Sequence, residues 1–311
     1  MIWKHWILGS FIAILMSIGG TSDVYADQKV SQLNVNLTLK SDASLEVTET
    51  IQYDVGTESY PQFQRTIPNN GYTITVNSVS VDGESFPYNT SQAENGKRVT
   101  LAKDAYQFRG TTEITITYTV NRPLQQTRTT LRSSDEGQTT VPVYQKGAVQ
   151  FFPKGVQFRW DVVDDSWNSP IKNTQVTLKL PQSLSQISDL ETKCFTGKAG
   201  STESACSVSQ GTNVINVTAN RTLQNEFFTI VVAFGSGVVE TPGKVTEWRN
   251  TLQNSQNTSG NTTTQNAGNG NLQVYLGIIG GICIGISLTF FAGVMRKKST
   301  KKKKRTRKEK T

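Results

Sequence analysis

Leu33-Asn34-Val35-Asn36-Leu37-Thr38-Leu39-Lys40 alternates apolar and polar residues without a break. After a short polar interval, Val47, Ile51 and Tyr53 alternate in the same way with Thr48, Thr50 and Gln52. A period of two puts one set of side chains on one face of a strand and the other set on the opposite face, as in a half-buried sheet. Working outward, further strands are expected at residues 72–81, 98–101 and 113–120. Asp82-Gly83 and Asn95-Gly96 stand between apolar runs as tight-turn signals. Thr and Val are abundant and no long helical period is present, so the expected class is all-β, with one or two immunoglobulin-like β-sandwich lobes.

The second half carries the same pattern at 149–152, 156–163, 175–180 and 214–217. Phe227-Phe228-Thr229-Ile230-Val231-Val232-Ala233-Phe234 is apolar on both faces and reads as a central buried strand. Pro181 ends the strand before it, because proline cannot continue the ladder. Residues 123–147 are rich in Thr, Gln and Arg and poor in apolar residues. They read as a long exposed loop or a boundary between a first lobe (27–122) and a second (148–240). Arg122, Arg128 and Arg132 could form an anion-binding patch there, or simply line a solvated connector. Residues 241–271, above all the Asn, Thr, Gln, Ser and Gly of 250–271, read as a flexible linker with a reach of roughly 25 Å.

The two ends set the expected topology. Lys4, an apolar run at residues 7–18, and Val24 and Ala26 before Asp27 have the layout of a secretory signal peptide cleaved after Ala26. An uncleaved anchor is the alternative, although the run is short for a span of ~20 residues. Residues 272–295 form an uncharged apolar run. At ~1.5 Å per residue it is long enough to cross a ~30 Å hydrocarbon core as a single transmembrane helix. The tail from Arg296 carries eleven Lys or Arg against one Glu. Basic residues beside a span stay cytoplasmic, which places the β-rich region outside. The tail alone is worth +10 and the signal segment is neutral, so a chain of net +8 leaves the exported part at −2. The basic pI therefore describes the tail, and no nucleic-acid partner is expected of the folded part.

Of three cysteines, Cys283 lies in the apolar run and Cys194 and Cys206 lie outside it. In an oxidising compartment the latter two are expected to pair, the alternative being two buried thiols. The one histidine is His5, within the signal segment. A mature chain without histidine excludes Ser-His-Asp and Cys-His nucleophilic machinery and histidine-ligated zinc or iron. No cofactor or metal is expected.

Several segments together resemble domain-of-unknown-function family 2207, a family of bacterial and archaeal membrane proteins. They are Ser41-Asp42-Ala43-Ser44-Leu45-Glu46-Val47-Thr48-Glu49-Thr50-Ile51, Arg65-Thr66-Ile67-Pro68, and Tyr118-Thr119-Val120. Trp160-Asp161-Val162-Val163 with Trp167, and Pro170-Ile171-Lys172-Asn173 leading to Val176-Thr177-Leu178-Lys179-Leu180-Pro181, complete the match over roughly residues 29–237. Order and spacing carry the resemblance. It implies a signal, an extracytoplasmic β region and a C-terminal span, and it implies no reaction. One terminal span and a short tail depart from the family's usual layout.

Asp161, Asp164 and Asp165 stand beside Trp160 and Trp167. Paired carboxylates with stacking aromatics could act on a glycan, and the plainer reading is a turn between core strands. The spacing lacks the ligand series and glycine of a calcium loop. Glu49 shares a face with Val47 and Ile51, so its burial would need a paired cation, for which Arg65 is the candidate; Glu46 lies on the opposite face. Gly277, Gly281, Gly285, Thr289 and Gly293 make one small-residue face of the span, the kind that lets two helices approach as a homodimer. The tail is expected to hold anionic membrane lipid, with a docking role or nucleic-acid binding as lesser readings. No Leu-Pro-x-Thr-Gly sorting signal precedes the span. The expected function is a non-enzymatic surface module for interaction, adhesion or envelope organisation, with an extracytoplasmic protein or glycan as partner. A carboxylate-dependent glycan-acting enzyme and a single-span signal relay are the alternatives.

Overall fold

In the computed structural model, the described residues are 29–94, 96–133, 137–164, 166–167 and 169–259. Ala26 and the signal segment, the apolar run with Gly277, Gly281, Gly285 and Gly293, and the basic tail lie outside them. Among the described residues no helix is long and apolar enough to cross a membrane.

The alternation at 33–40 becomes β1 (Lys29–Leu39), which turns back into the long β2 (Leu45–Tyr60). β3 (Gln62–Pro68), β4 (Thr73–Val81), the short β5 (Glu84–Ser85), β6 (Tyr88–Ala93), β7 (Gly96–Ala102) and β8 (Phe108–Asn121) complete the first half. Asp82 and Gly83, both at positive φ, make the expected turn between β4 and β5. β9 (Gln125–Ser133) and β10 (Gly137–Lys146) follow, then β11 (Val149–Phe152), β12 (Gly155–Val163) and β13 (Thr174–Lys179). β14 (Glu191–Gly197), β15 (Cys206–Gln210), β16 (Val214–Ala219) and β17 (Phe227–Phe234) end the strands, and the helix α1 (Gly243–Ser259) follows.

The chain is all-β, as expected, but it forms three sheets. The first has eight strands in the order β15-β16-β13-β1-β2-β8-β4-β5, the second six (β14-β17-β12-β11-β10-β9) and the third three (β3-β7-β6). β1 and β13 run parallel, with Leu33 opposite Thr174 and Leu37 opposite Leu178. Of the one or two lobes expected, with 27–122 and 148–240 as the candidate halves, the pairing favours one, because strands from both halves build one sheet over one continuous hydrophobic cluster. Alternation reports which face a residue takes. It does not report which strand lies alongside, and a partner about 140 residues away leaves no local trace.

Two further expectations are corrected. Residues 123–147 hold the hairpin β9–β10, not a long loop. β9 is the edge strand of its sheet, and an edge ribbon needs little apolar alternation to form. The polar composition of residues 241–271 predicts a linker, yet α1 covers 243–259 and docks on the domain. Val245 is fully buried, Trp248 meets Tyr144 with ring centroids 5.4 Å apart, and Arg249 donates to the carbonyls of Phe152 and Gly155. Three anchoring residues in a polar stretch are too few to show as a helical period.

The β1–β2 turn is clamped from two sides. Asp42 accepts hydrogen bonds from the backbone and hydroxyl of Ser44, which lowers its pKa, and buried Ala43 takes the left-handed conformation at φ 72°. The Ala148 amide donates to the Ala43 carbonyl, and the Glu240 amide donates to that of Ser41. Gly147 permits this approach, since a Cβ there would lie 1.9 Å from the Ala43 carbonyl oxygen. Cys194 on β14 and Cys206 on β15 form a disulfide, Cα–Cα 6.4 Å, stapling an edge of the six-stranded sheet to an edge of the eight-stranded one.

Gly147→Ala combines that clash with a strained φ of +51° and should destabilise the fold by ~2 kcal/mol or more, read from a urea transition. The Cys194→Ser/Cys206→Ser double variant should lose about 3 kcal/mol in the same measurement, the loop-entropy value for a short loop.

Candidate functional site

Glu49 sits mid-strand on β2, on the face it shares with Val47 and Ile51, and that face is the core. A carboxylate there needs compensation, and three elements bring it. Arg65 on β3 makes a two-pronged ion pair, with Nε 2.8 Å and Nη2 3.0 Å from the two carboxylate oxygens. The Tyr118 hydroxyl on β8 donates to the same carboxylate at 2.8 Å. Arg65 also donates to the Thr66 carbonyl and to Ser166 Oγ, and its guanidinium lies 4.4 Å from the centre of the Trp167 ring. Glu49 and Arg65 are 2% and 3% exposed, so the pair is wholly inside the protein.

The electrostatics follow from that burial. Desolvation alone would loosen the Arg65 proton, but the Glu49 charge and its hydrogen bonds outweigh it, and the pKa rises. Burial pushes the Tyr118 hydroxyl well above its ordinary pKa, and the adjacent Glu49 charge adds to the shift. Tyr118 therefore stays a neutral donor. The expected Glu49–Arg65 pair is present. Tyr118 and Ser166 were not anticipated, although parity alone places Tyr118 with Ile114 and Ile116 on the apolar face, where a hydroxyl needs a partner. Glu46 faces outward and pairs with Lys40 at 2.7 Å.

The proposed carboxylate constellation divides among separate partners. Asp161 accepts from Thr229 Oγ1 at 2.7 Å across the β12–β17 pairing and from Arg159 on its own strand at 3.3 Å. Asp164 is buried, caps the turn by accepting from the Ser166 amide at 2.9 Å, and contributes its charge to Arg65. Asp165 lies outside the described residues. Trp160 packs near Tyr72, and Trp167 is buried beneath Arg65, so neither ring is offered for stacking. Among the described residues no three of His, Cys, Asp and Glu stand together as a cation site.

The candidate arginine patch does not include Arg122. Arg122 is buried, donates to the carbonyls of Asn70 and Gly71 and to Gln145, and lies 4.2 Å from the centre of the Tyr72 ring. It ties the 69–72 turn to β10 and is not presented to an anion. Arg128 is exposed on β9, and the side chain of Arg132 lies outside the described residues.

Removing either member of the buried pair leaves an uncompensated charge. Arg65→Met and Glu49→Gln should each cost about 3–5 kcal/mol in chemical denaturation, and Glu49→Leu/Arg65→Met should cost clearly less than the sum.

The pattern of the predicted membrane protein (DUF2207) N-terminal domain matches residues 29–234. No curated protein matches the chain. Among solved structures, native leukotriene A4 hydrolase from Saccharomyces cerevisiae is similar at 11% identity and a TM-score of 0.39, over 67% of this chain and 29% of that one. An M1 zinc metallopeptidase from Deinococcus radiodurans is similar at 11% identity and a TM-score of 0.32, over 66% of this chain and 42% of that one. This chain thus spans less than half the length of either, and similarity at that level says nothing of its chemistry.

Proposed function

Because the chain belongs to the DUF2207 family of predicted membrane proteins, we propose that it is a non-enzymatic surface module, anchored by one span with its β-rich domain outside the membrane. The observation that carries this reading is where the ionisable groups are used. Glu49, Arg65, Tyr118, Asp164 and Arg122 are buried and hydrogen-bonded to one another or to the backbone. Asp161 is engaged by Thr229 and Arg159. Charge chemistry in this domain holds sheets together and leaves the surface for recognition of an extracytoplasmic protein or glycan.

The apolar run at 272–295 and the basic residues after it supply the anchor, and the tail lies against anionic lipid. The small-residue face of Gly277, Gly281, Gly285 and Gly293 supports pairing of two spans. The docked α1 shortens the tether. Only residues 260–271 separate it from the apolar run, so the domain stands within ~40 Å of the bilayer even if that segment is fully extended.

A protease added to intact cells should digest the domain of a C-terminally tagged full-length chain and leave a tagged fragment of the span and tail. Complete protection until the membrane is permeabilised would overturn the topology.

A further inference from the structure

The eight-stranded sheet has a second face, opposite the core, with an unusual composition. Its rows can be read from the registers. Asn34 on β1 lies opposite Thr50, Thr50 opposite Thr115, and Thr115 opposite Ser80. On the other flank the same row continues through Gln175, Thr218 and Ser207. The next row runs from Asn36 through Thr48, Thr117 and Ser78, and on the other flank through Thr177, Asn216 and Ser209. Seven strands thus contribute two adjacent rows made entirely of hydroxyl and amide side chains, and every one is half-buried or exposed.

Charged residues make up 18% of this chain, so fourteen uncharged positions in register would arise by chance about 6% of the time. The flanking rows do carry charge: Lys40 is paired with Glu46 at 2.7 Å and Lys29 with Asp54 at 3.3 Å, while Glu113 and the exposed Lys179 lie one row out from the neutral pair. Thr48 and Thr117 are 3.4 Å apart and Thr50 and Thr115 are 3.5 Å apart across the strands, so the hydroxyls already lie within reach of one another.

We propose that this face binds a neutral glycan chain lying across the strands. The chemistry selects that occupant. A polyanion would find no unpaired cation on the two rows, and an apolar protein surface would find no aliphatic or aromatic area to cover. A neutral polysaccharide brings hydroxyls that both donate and accept, and so do these side chains. Strand spacing places a polar group every ~4.8 Å along a row, over about 29 Å for seven strands, so an extended polymer meets one repeatedly. With no ring to stack on, each contact is weak and affinity grows with chain length. The inference rests on the domain lying outside the membrane and acting by binding.

The test is co-sedimentation of the full-length protein in detergent micelles with insoluble cellulose, chitin and a β-1,3-glucan, and with an alginate gel as polyanion. Retention is expected on at least one neutral polymer and not on alginate. Long soluble fragments should compete, and single sugars should not. Thr48→Val, Thr50→Val, Thr115→Val and Thr117→Val combined keep the branched shape that suits a strand. That variant should melt at the same temperature as the parent and lose retention at least tenfold. If it misfolds, Thr117→Lys alone should give the same loss. No retention of the parent on any neutral polymer, retention on alginate only, or undiminished retention of a folded variant would overturn the proposal. A domain that protease digests from outside yet ignores these polymers would defeat the glycan inference alone. A domain that protease cannot reach would defeat the reading beneath it.

Discussion

Three sheets meet at one guanidinium. Arg65 comes from the three-stranded sheet, its partners Glu49 and Tyr118 come from the eight-stranded one, and Ser166 and Trp167 follow the last residue of β12 in the six-stranded one. Moving either charge out of water costs several kcal/mol, so the pair adds little net stability over a well-packed apolar substitute. What it adds is selectivity. Apolar faces can slide over one another at modest cost. A buried two-pronged pair with a third donor from Tyr118 is satisfied in one arrangement only. The relative placement of the sheets is therefore set by this joint, and the surrounding hydrophobic cluster supplies the bulk of the favourable burial.

Much of that joint was legible in the sequence, for a simple reason. Period-two parity assigns each residue a face without reference to any partner, so Glu49 had to point inward and had to find a cation. The same logic found β1, β2, β8 and the doubly apolar β17. Parity is silent where apolar residues are sparse in the sequence, as along the β9–β10 ribbon, and where the period changes over too few residues, as at Val245, Trp248 and Arg249 in α1. It is also silent about neighbours. The parallel seam between β1 and β13 joins the two halves of the chain in one sheet, and nothing near Leu33 announces Thr174. The aspartates misled because carboxylates beside tryptophans are compatible with both a site and a turn. Asp164 is a capping residue, and its sequence already had the Asx-turn form, with Ser166 two positions on.

The two faces of the eight-stranded sheet are one device, because β2 writes both. Glu49 points into the joint, and its immediate neighbours Thr48 and Thr50 point outward into the neutral rows. A slip of one residue in β2 would exchange the faces. It would pull the carboxylate away from Arg65 and leave a buried cation uncompensated. It would also bury two threonine hydroxyls against Val and Ile neighbours, each short of a partner. The penalty on that slip is dominated by the charge, so the ion pair inside enforces the register of the hydroxyl rows outside. A binding face built only from Ser, Thr, Asn and Gln has no strong register signal of its own, since these side chains are tolerated on either side of an exposed edge. Its regularity over seven strands depends on the inward residues that alternate with it, and among those Glu49 is the one whose misplacement costs most.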